Sequence, residues 1–177
     1  MLGYITTPGR GEGDLLLAEL ANRLRAAGVR LAGAVQVNVA RPGAERCDMD
    51  LCVLGGDKVW RISQYRGPLA TGCRLDAQGL ERAVGEVAAA LAAEVPPELL
   101  IVNKFGIQEI EGRGFRPVIA QALLADVPVL TAVNAKNLPG FLAFAEGLAE
   151  PLAPEPEALA QWCLARLAPR SAPRVTA

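Results

Sequence analysis

Hydrophobic positions in this sequence follow two patterns, which take turns along the chain: one has helical spacing, and the other is a short continuous apolar run. Leu16, Leu20 and Leu24 recur at helical spacing within "DLLLAELANRLRAAG", and Gly28 is placed to end that helix. The apolar runs "VRLAGAVQVNV", "ELLIVNKFG" and "VPVLTAVN" are too short for helices and predict buried strands. Further helical patterns are "LDAQGLERAVGEVAAALAAEV" with Asp76 as its N-cap, "GFRPVIAQALLAD", "LPGFLAFAEGLAE" and "EPEALAQWCLARLA". We therefore predict a three-layer α/β fold with a mostly parallel central sheet covered on both faces.

One segment departs from this alternation. "RCDMDLCVL" and "DKVWRISQ" alternate in polarity on either side of "GGD", which predicts a β-hairpin at about residues 41–66. It is inserted between the second strand and the helix that follows. We expect residues 1–168 to form a single domain and residues 169–177 a disordered tail.

Composition and charge narrow the choice of partners. Lys plus Arg total 18 and Asp plus Glu 19, so no field of the whole protein would attract nucleic acid or a membrane. We expect a cytoplasmic protein with a small anionic ligand and no nucleic-acid or membrane partner, and leave its oligomeric state open. The sequence has no histidine, which excludes an imidazole base and any zinc site that needs imidazole. Its 4 cysteines are expected to be reduced thiols.

The residues that end the predicted strands are candidates for ligand binding, because parallel sheets bind ligands beyond the carboxyl ends of their strands. These residues are Thr7, Asn38, Asn103 and Asn134. Asparagine also commonly ends strands for purely structural reasons, so both interpretations stay open.

The stretch "YITTPGRGEGDLLLAEL" predicts a strand, a glycine-rich turn and a helix. Gly9, Gly11 and Gly13 permit close backbone approach to an anion, and the helix N-terminus favours negative charge. A working phosphate loop, G-x-x-x-x-G-K-[ST], has a lysine and a hydroxyl that are missing here. We interpret Asp14 as the N-cap of its helix rather than a metal ligand, and expect Glu12 to turn outward.

The strand "LLIVNKFG" shows a second loss. A nucleoside triphosphatase would end this strand with an acidic residue that holds the magnesium shell, whereas Asn103 and Lys104 stand here. Lys104 either supplies positive charge in place of the missing lysine or is an ordinary surface lysine.

Several of these segments together carry a resemblance to known families. The order of the glycine loop, the hairpin, "LLIVNKFGIQEIEGRGFRPVIAQAL" and "PVLTAVN" resembles the small phosphate-loop nucleoside triphosphatases. More closely, "RCDMDL", "GCRLD", "VNKFG" and "EGRGFR" resemble the bacterial family catalogued as domain of unknown function 2478. That resemblance implies a nucleoside-triphosphatase-like fold over nearly the full length and a connection with molybdenum uptake.

The hairpin is a second candidate site because it gathers basic residues and thiols. It contains Arg41, Arg46, Arg61, Arg66 and Arg74, together with Cys47, Cys52 and Cys73. Alternation separates Cys47 from Cys52, so Cys47 and Cys73 are the predicted pair, within about 7 Å between Cα atoms. The pair either binds a soft metal or an oxyanion, or consists of buried apolar residues.

The segment "EIEGRGFR" is similarly open. It either lines the crevice or forms a solvated turn that opens a helix, and the residues concerned are Glu109, Glu111, Arg113 and Arg116.

These observations favour binding over turnover. We expect a nucleotide- or phosphate-binding protein with degenerate catalytic motifs and little hydrolysis, whose ligand is a nucleotide with Mg²⁺. The alternatives are a molybdate- or tungstate-binding accessory protein that uses the hairpin, and a residual nucleoside triphosphatase.

Overall fold

The apolar runs of the sequence form one sheet in the computed structural model, which describes residues 1–9, 11–42, 47–65, 67 and 74–167. The strands are β1 (Leu2–Ile5), β2 (Leu31–Val39), β3 (Asp48–Leu54), β4 (Val59–Arg61), β5 (Leu99–Phe105), β6 (Val129–Val133) and β7 (Ala149–Pro151). Their order is β4-β3-β2-β5-β6-β1-β7. Neighbours from β2 to β7 pair in parallel, while β3 and β4 add an antiparallel hairpin next to β2. The predicted α/β fold and its inserted hairpin are confirmed.

Except for the short helix at Ile107–Ile110, which the sequence analysis did not predict, the helices lie where the 3.6-residue period predicted them. They are α1 (Glu12–Ala26), α2 (Ala77–Leu91), α3 (Ile107–Ile110), α4 (Arg116–Leu124), α5 (Leu138–Ala145) and α6 (Pro156–Leu164). Asp76 caps α2 as predicted, because its carboxylate accepts a hydrogen bond from the Gln78 backbone N–H at 3.1 Å. Within the described ranges, no helix is long and apolar enough to cross a membrane.

Alternating side chains of the strands divide the core into two layers. Along β5, Leu100 and Val102 pack with residues of α2, α4 and α5 on one face of the sheet. Leu99 and Ile101 point to the other face and pack with α1 and α6. Burial on both faces explains why β5 is apolar almost throughout, without the alternation of a strand exposed on one side.

Close contact between β2 and β5 requires glycine at position 33. Gly33 has φ of +113°, and a Cβ there would lie 1.8 Å from the Ile101 carbonyl oxygen. This glycine therefore allows β2 to bend towards the centre of the sheet just before its polar end.

One element differs from the sequence predictions, and several residues with a predicted role lie outside the described ranges. The short edge strand β7 was missed, because its Ala-Glu-Pro sequence was assigned to the end of a helical pattern. The predicted tail at residues 169–177 lies outside the described residues, as do Arg46, Arg66 and Cys73.

Candidate functional site

Near the carboxyl end of β5, the Asn103 side chain connects β5 with β2 beyond the last pair of these two strands. β2 and β5 pair in regular register as far as Ala34 and Val102, after which the register of β5 with β6 shifts. At this point Asn103 Oδ1 accepts a hydrogen bond from the Gln36 backbone N–H at 2.9 Å. The side chain of Asn103 thus replaces the backbone acceptor that the diverging strand no longer offers.

Asp14 lies at the centre of the polar residues near these strand ends and does not cap its helix. The helix α1 begins at Glu12, and its N-cap is Gly11 in the left-handed region with φ of 84°, so the N-cap prediction for Asp14 is wrong. The Asp14 side chain is buried, with 3% of its surface exposed. Asn103 Nδ2 donates to Asp14 Oδ1 at 2.9 Å, and Gln36 Nε2 donates to Asp14 Oδ2 at 3.3 Å.

Lys104 neutralises this buried carboxylate. Its ammonium nitrogen lies 3.3 Å from Asp14 Oδ1, and 36% of the lysine side chain is exposed. A buried carboxylate needs such a partner, because an unpaired charge in the interior is costly. Lys104 therefore has its charge beside the first turn of α1, where the missing phosphate-loop lysine would have been expected.

We call Asp14, Gln36, Asn38, Asn103 and Lys104 the polar network. Asn38 joins it through a 2.8 Å hydrogen bond from Gln36 Nε2 to Asn38 Oδ1. The network connects α1, β2 and β5 at the carboxyl end of the sheet, so three predicted residues, Asn38, Asn103 and Lys104, come together around Asp14.

The glycine loop carries its own carboxylate. Glu12 is exposed as predicted, yet it does not leave the loop, because its Oε2 accepts a hydrogen bond from the Gly9 backbone N–H at 3.0 Å. Thr7 is half-buried and Gly13 is buried, with a hypothetical Cβ at 3.2 Å from Ala132 Cβ. The Glu12 carboxylate thus occupies one of the amides that an anionic ligand would use.

Two other predicted residues lie outside the polar network. Asn134 is exposed and is the N-cap residue of a short 3-10 helix, but its side chain makes no capping hydrogen bond. Arg113 is exposed, and its guanidinium pairs with Glu111 and donates to Gln108 Oε1 at 3.1 Å. The structure therefore favours the solvated-turn interpretation of Arg113.

The arginines of the hairpin surround a buried carboxylate. Asp48 is 5% exposed, and Arg61 Nη1 lies 2.9 Å from its Oδ2. Arg74 and Arg41 approach Asp48 Oδ1 at 3.8 Å and 3.9 Å, and Ser63 Oγ donates to the same oxygen at 3.2 Å. Much of the positive charge noted in the sequence is thus balanced within the protein.

The thiol pair of the hairpin stays a prediction, because Cys73 lies outside the described residues. Cys47 is exposed and Cys52 is half-buried, and both are free thiols. Burial, and to a lesser degree Asp50, raises the pKa of the Cys52 thiol. Among the residues with described positions, no three His, Cys, Asp or Glu side chains form a group suited to a metal ion.

Sequence analysis missed one polar residue of this region, Gln36, and left Glu109 open between the crevice and a solvated turn. Gln36 precedes Asn38 by two positions on one strand, so the period-2 rule could have placed both side chains on the same face. Glu109 is 5% exposed, and its carboxylate accepts hydrogen bonds from the backbone N–H groups of Gly106 (2.8 Å) and Phe115 (3.0 Å). Burial raises the pKa of Glu109, and these two hydrogen bonds oppose that rise. No local sequence signal marks Glu109 as buried.

Comparisons with known proteins agree with this architecture. The sequence model of a family described as "Protein of unknown function (DUF2478)" matches residues 2–162. The molybdenum import ATP-binding protein ModC 2 of Bradyrhizobium diazoefficiens is 38% identical over 149 residues, which make up 84% of this chain but 16% of that protein. A human cancer-related nucleoside triphosphatase, solved in solution, superposes with a TM-score of 0.62 at 16% identity, over 93% of this chain and 95% of that one. The fold is thus nucleoside-triphosphatase-like, as predicted.

Proposed function

The chain belongs to the DUF2478 family, whose description assigns no function, and we propose from its own site that it binds a nucleotide or a phosphate with little or no hydrolysis. The observation that carries this proposal is the position of Lys104, whose Nζ lies 3.3 Å from Asp14 Oδ1 beside the first turn of α1. Backbone amides at a helix N-terminus together with one ammonium group suit a phosphate. An ATP-binding relative and a nucleoside triphosphatase neighbour support a nucleotide as the ligand.

The two charged positions of a phosphate-loop site have exchanged signs in this chain. A working loop carries lysine after its last glycine, and the neighbouring strand ends in an acidic residue. Here Glu12 follows Gly11 and Asp14 follows Gly13, while the strand ends in Asn103 and Lys104. The positive charge reaches the loop from β5, and the negative charge belongs to α1.

This exchange supports binding more than catalysis. Phosphoryl transfer depends on positive charge and magnesium placed around the transferred group. Lys104 is paired with Asp14, and both ends of the Asn103 amide are occupied by Gln36 and Asp14. No carboxylate at the end of β5 orients water or a magnesium shell, so we expect slow turnover at most.

Glu12 would compete with a bound phosphate. Its carboxylate accepts the Gly9 N–H at 3.0 Å, so a ligand must displace it or bind beside a like charge. Since Glu12 is exposed, solvent can receive the displaced carboxylate. Removing the carboxylate should therefore tighten binding of an anion.

Calorimetric titration with ATP and with inorganic phosphate, each with and without Mg²⁺, tests the proposal. We expect Glu12→Ala to bind several-fold more tightly and Lys104→Ala about tenfold more weakly, since a hydrogen bond to a charged group contributes about 1.5–3 kcal/mol. Glu19→Ala and Lys136→Ala change the same charges at exposed positions and should leave the affinity unchanged. Unchanged affinity in both site variants would mean that the loop is a structural remnant.

A second candidate function is binding of molybdate or tungstate at the hairpin. It is favoured by the three guanidinium groups of Arg41, Arg61 and Arg74 around Asp48, and by the molybdenum import named for the relative. Arg41 is the farthest of the three from Asp48, at 3.9 Å, and its guanidinium lies 4.3 Å from the centroid of the Tyr65 ring.

Thermal unfolding with molybdate and with sulfate tests this candidate. A ligand at 100 times its dissociation constant adds about 2.7 kcal/mol to the free energy of unfolding. Molybdate should stabilise the wild-type protein and the Arg30→Gln control, but not Arg41→Gln. Arg30 precedes β2, at the opposite end of the sheet from Asp48. Equal stabilisation by sulfate would contradict a molybdate site.

The proposal also includes a cytoplasmic location, which the three free thiols described by the structure, Cys47, Cys52 and Cys163, support.

A further inference from the structure

A small cavity lies next to the polar network, between the hairpin, α2 and the segment that follows β5. Its volume is about 160 Å³. Apolar side chains form much of its wall, namely Leu51, Ile62, Leu75, Leu80 and Phe115. Four of these, all but Leu75, are buried in the folded protein, with between 3% and 6% of their surface exposed. The apolar wall is therefore built mostly from the core, and the exposed Ile107 also lines the cavity.

Part of the polar wall of this cavity consists of residues that also contact Asp14, and Gln108 and Glu109 line the cavity as well. Gln36, Asn103 and Lys104 line the cavity and each contacts the Asp14 carboxylate. The Asn103 amide is fully used, since its oxygen accepts from Gln36 and its nitrogen donates to Asp14. The Lys104 ammonium has three donors, and its nitrogen lies 3.3 Å from one acceptor, Asp14 Oδ1. Lys104 thus retains donors for a ligand.

The volume of the cavity matches about one ring. An engineered cavity of about 150 Å³ lined by leucine, isoleucine and phenylalanine binds benzene. The volume here, about 160 Å³, and the same kinds of side chains match a six-membered ring. Because this cavity opens to solvent, it would enclose one ring of a larger ligand and leave the rest outside.

The charges around the cavity favour an uncharged ligand. Lys104 is offset by Asp14, and Glu109 also lines the cavity. In the cavity a ligand with a full negative charge would meet repulsion from Glu109, without the helix N-terminus that favours an anion at the glycine loop. A carbonyl oxygen accepts a hydrogen bond from Lys104 without that repulsion.

We propose that this cavity binds an uncharged six-membered ring that carries a carbonyl group, such as a pyrimidine base or an aromatic carboxamide. The ring packs against Leu51, Ile62, Leu80 and Phe115, and the carbonyl oxygen accepts a hydrogen bond from Lys104. This site is distinct from the glycine loop, and the polar network lies between the two. The inference does not rest on the proposed phosphate binding, although Lys104 serves both.

Methyl NMR titrations of the full chain with benzamide, benzoate and benzene test the site. Benzamide should shift the methyl signals of Leu51, Ile62 and Leu80 and give NOEs from its ring to them. Benzoate should bind at least about fivefold more weakly because of its charge, and benzene about tenfold more weakly because it lacks the acceptor. Benzoate binding as tightly as benzamide, or no NOE to these methyl groups, would overturn the proposal.

Two variants separate the apolar wall from the polar one. Leu80→Phe fills the cavity and should reduce benzamide affinity at least about tenfold, whereas Leu124→Phe makes the same change at a residue that is 88% exposed and should not. Lys104→Met removes the donor and should weaken benzamide about tenfold, while Lys136→Met should not. Unchanged benzamide affinity in Leu80→Phe or Lys104→Met would contradict the site.

The same samples distinguish this inference from the proposed function. Leu80→Phe should still bind inorganic phosphate as tightly as the wild type, because the glycine loop lies across the polar network. If Leu80→Phe does not fold, the NOEs in the wild-type protein decide alone. Benzamide binding without phosphate binding would refute only the proposed function, and phosphate binding without benzamide binding would refute only the cavity site.

Discussion

Asn103→Asp is the substitution that returns an acidic residue to the end of β5, and the structure predicts that it destabilises the protein. Asn103 Nδ2 donates to Asp14 Oδ1 at 2.9 Å, and the two residues are 4% and 3% exposed. The change is nearly isosteric, but it replaces a donor with a second carboxylate oxygen. Two buried carboxyl groups would then face each other in place of a donor and an acceptor.

The size of the effect follows from two contributions. Two unit charges about 4 Å apart at an effective dielectric of 20 repel by about 4 kcal/mol. The lost hydrogen bond to a charged group adds about 1.5–3 kcal/mol. Lys104, 3.3 Å from Asp14, attracts both carboxylates and offsets part of this cost. We therefore expect the free energy of unfolding to fall by about 3 kcal/mol.

Urea denaturation at neutral pH measures this loss. Asn134→Asp makes the same change at an exposed strand end and should alter stability by less than about 0.5 kcal/mol. If Asn103→Asp destabilises no more than Asn134→Asp, the stability of the protein does not depend on the hydrogen bond from Asn103 to Asp14.

Three further predictions concern the sheet, the thiols and turnover. Gly33→Ala should prevent stable folding, measured by circular dichroism, because its Cβ would lie 1.8 Å from the Ile101 carbonyl oxygen; a folded variant would contradict the close strand contact. Cys163 should react with iodoacetamide at pH 8 much more slowly than the exposed Cys47, because burial raises the pKa of Cys163 to about 12. Peptide mass spectrometry measures both rates, and equal rates would show that the helix of Cys163 opens readily. ATP and GTP hydrolysis by the wild type should be slow or undetectable in a phosphate-release assay, and robust turnover abolished by Lys104→Ala would instead favour a residual triphosphatase.

The fold could be predicted because its signals are local. Helix α1 repeats leucines at helical spacing, and β5 is a short apolar run between polar segments. The Asp76 cap also depends on neighbouring residues alone. Strand β7 lacks such a signal, because Ala149–Pro151 is three residues long and pairs on one side only, with β1. Its existence depends on the tertiary contact with that strand.

The site was predictable only in part, for a related reason. The rule that ligands bind at strand ends identified Asn38 and Asn103, which meet around Asp14. Whether Asp14 caps α1 or is buried in its first turn depends on where the helix begins. The observed N-cap, Gly11, lies three residues before Asp14, the predicted one. The left-handed Gly11 starts the helix early and moves Asp14 into its first turn. Sequence patterns do not resolve helix ends to that precision.

The polar network couples the end of β5 to the first turn of α1. Asn103 offers the buried Asp14 carboxylate a donor, while its oxygen accepts from Gln36. The next residue, Lys104, supplies at 3.3 Å the positive charge that a buried carboxylate requires. Asp14 and Lys104 are about 90 positions apart in the sequence, and we expect each to stabilise the other. Asp14→Lys alone would place a lysine beside Lys104 and destabilise the protein, whereas Asp14→Lys with Lys104→Asp should recover part of that stability in urea denaturation. A double variant no more stable than Asp14→Lys alone would refute the coupling.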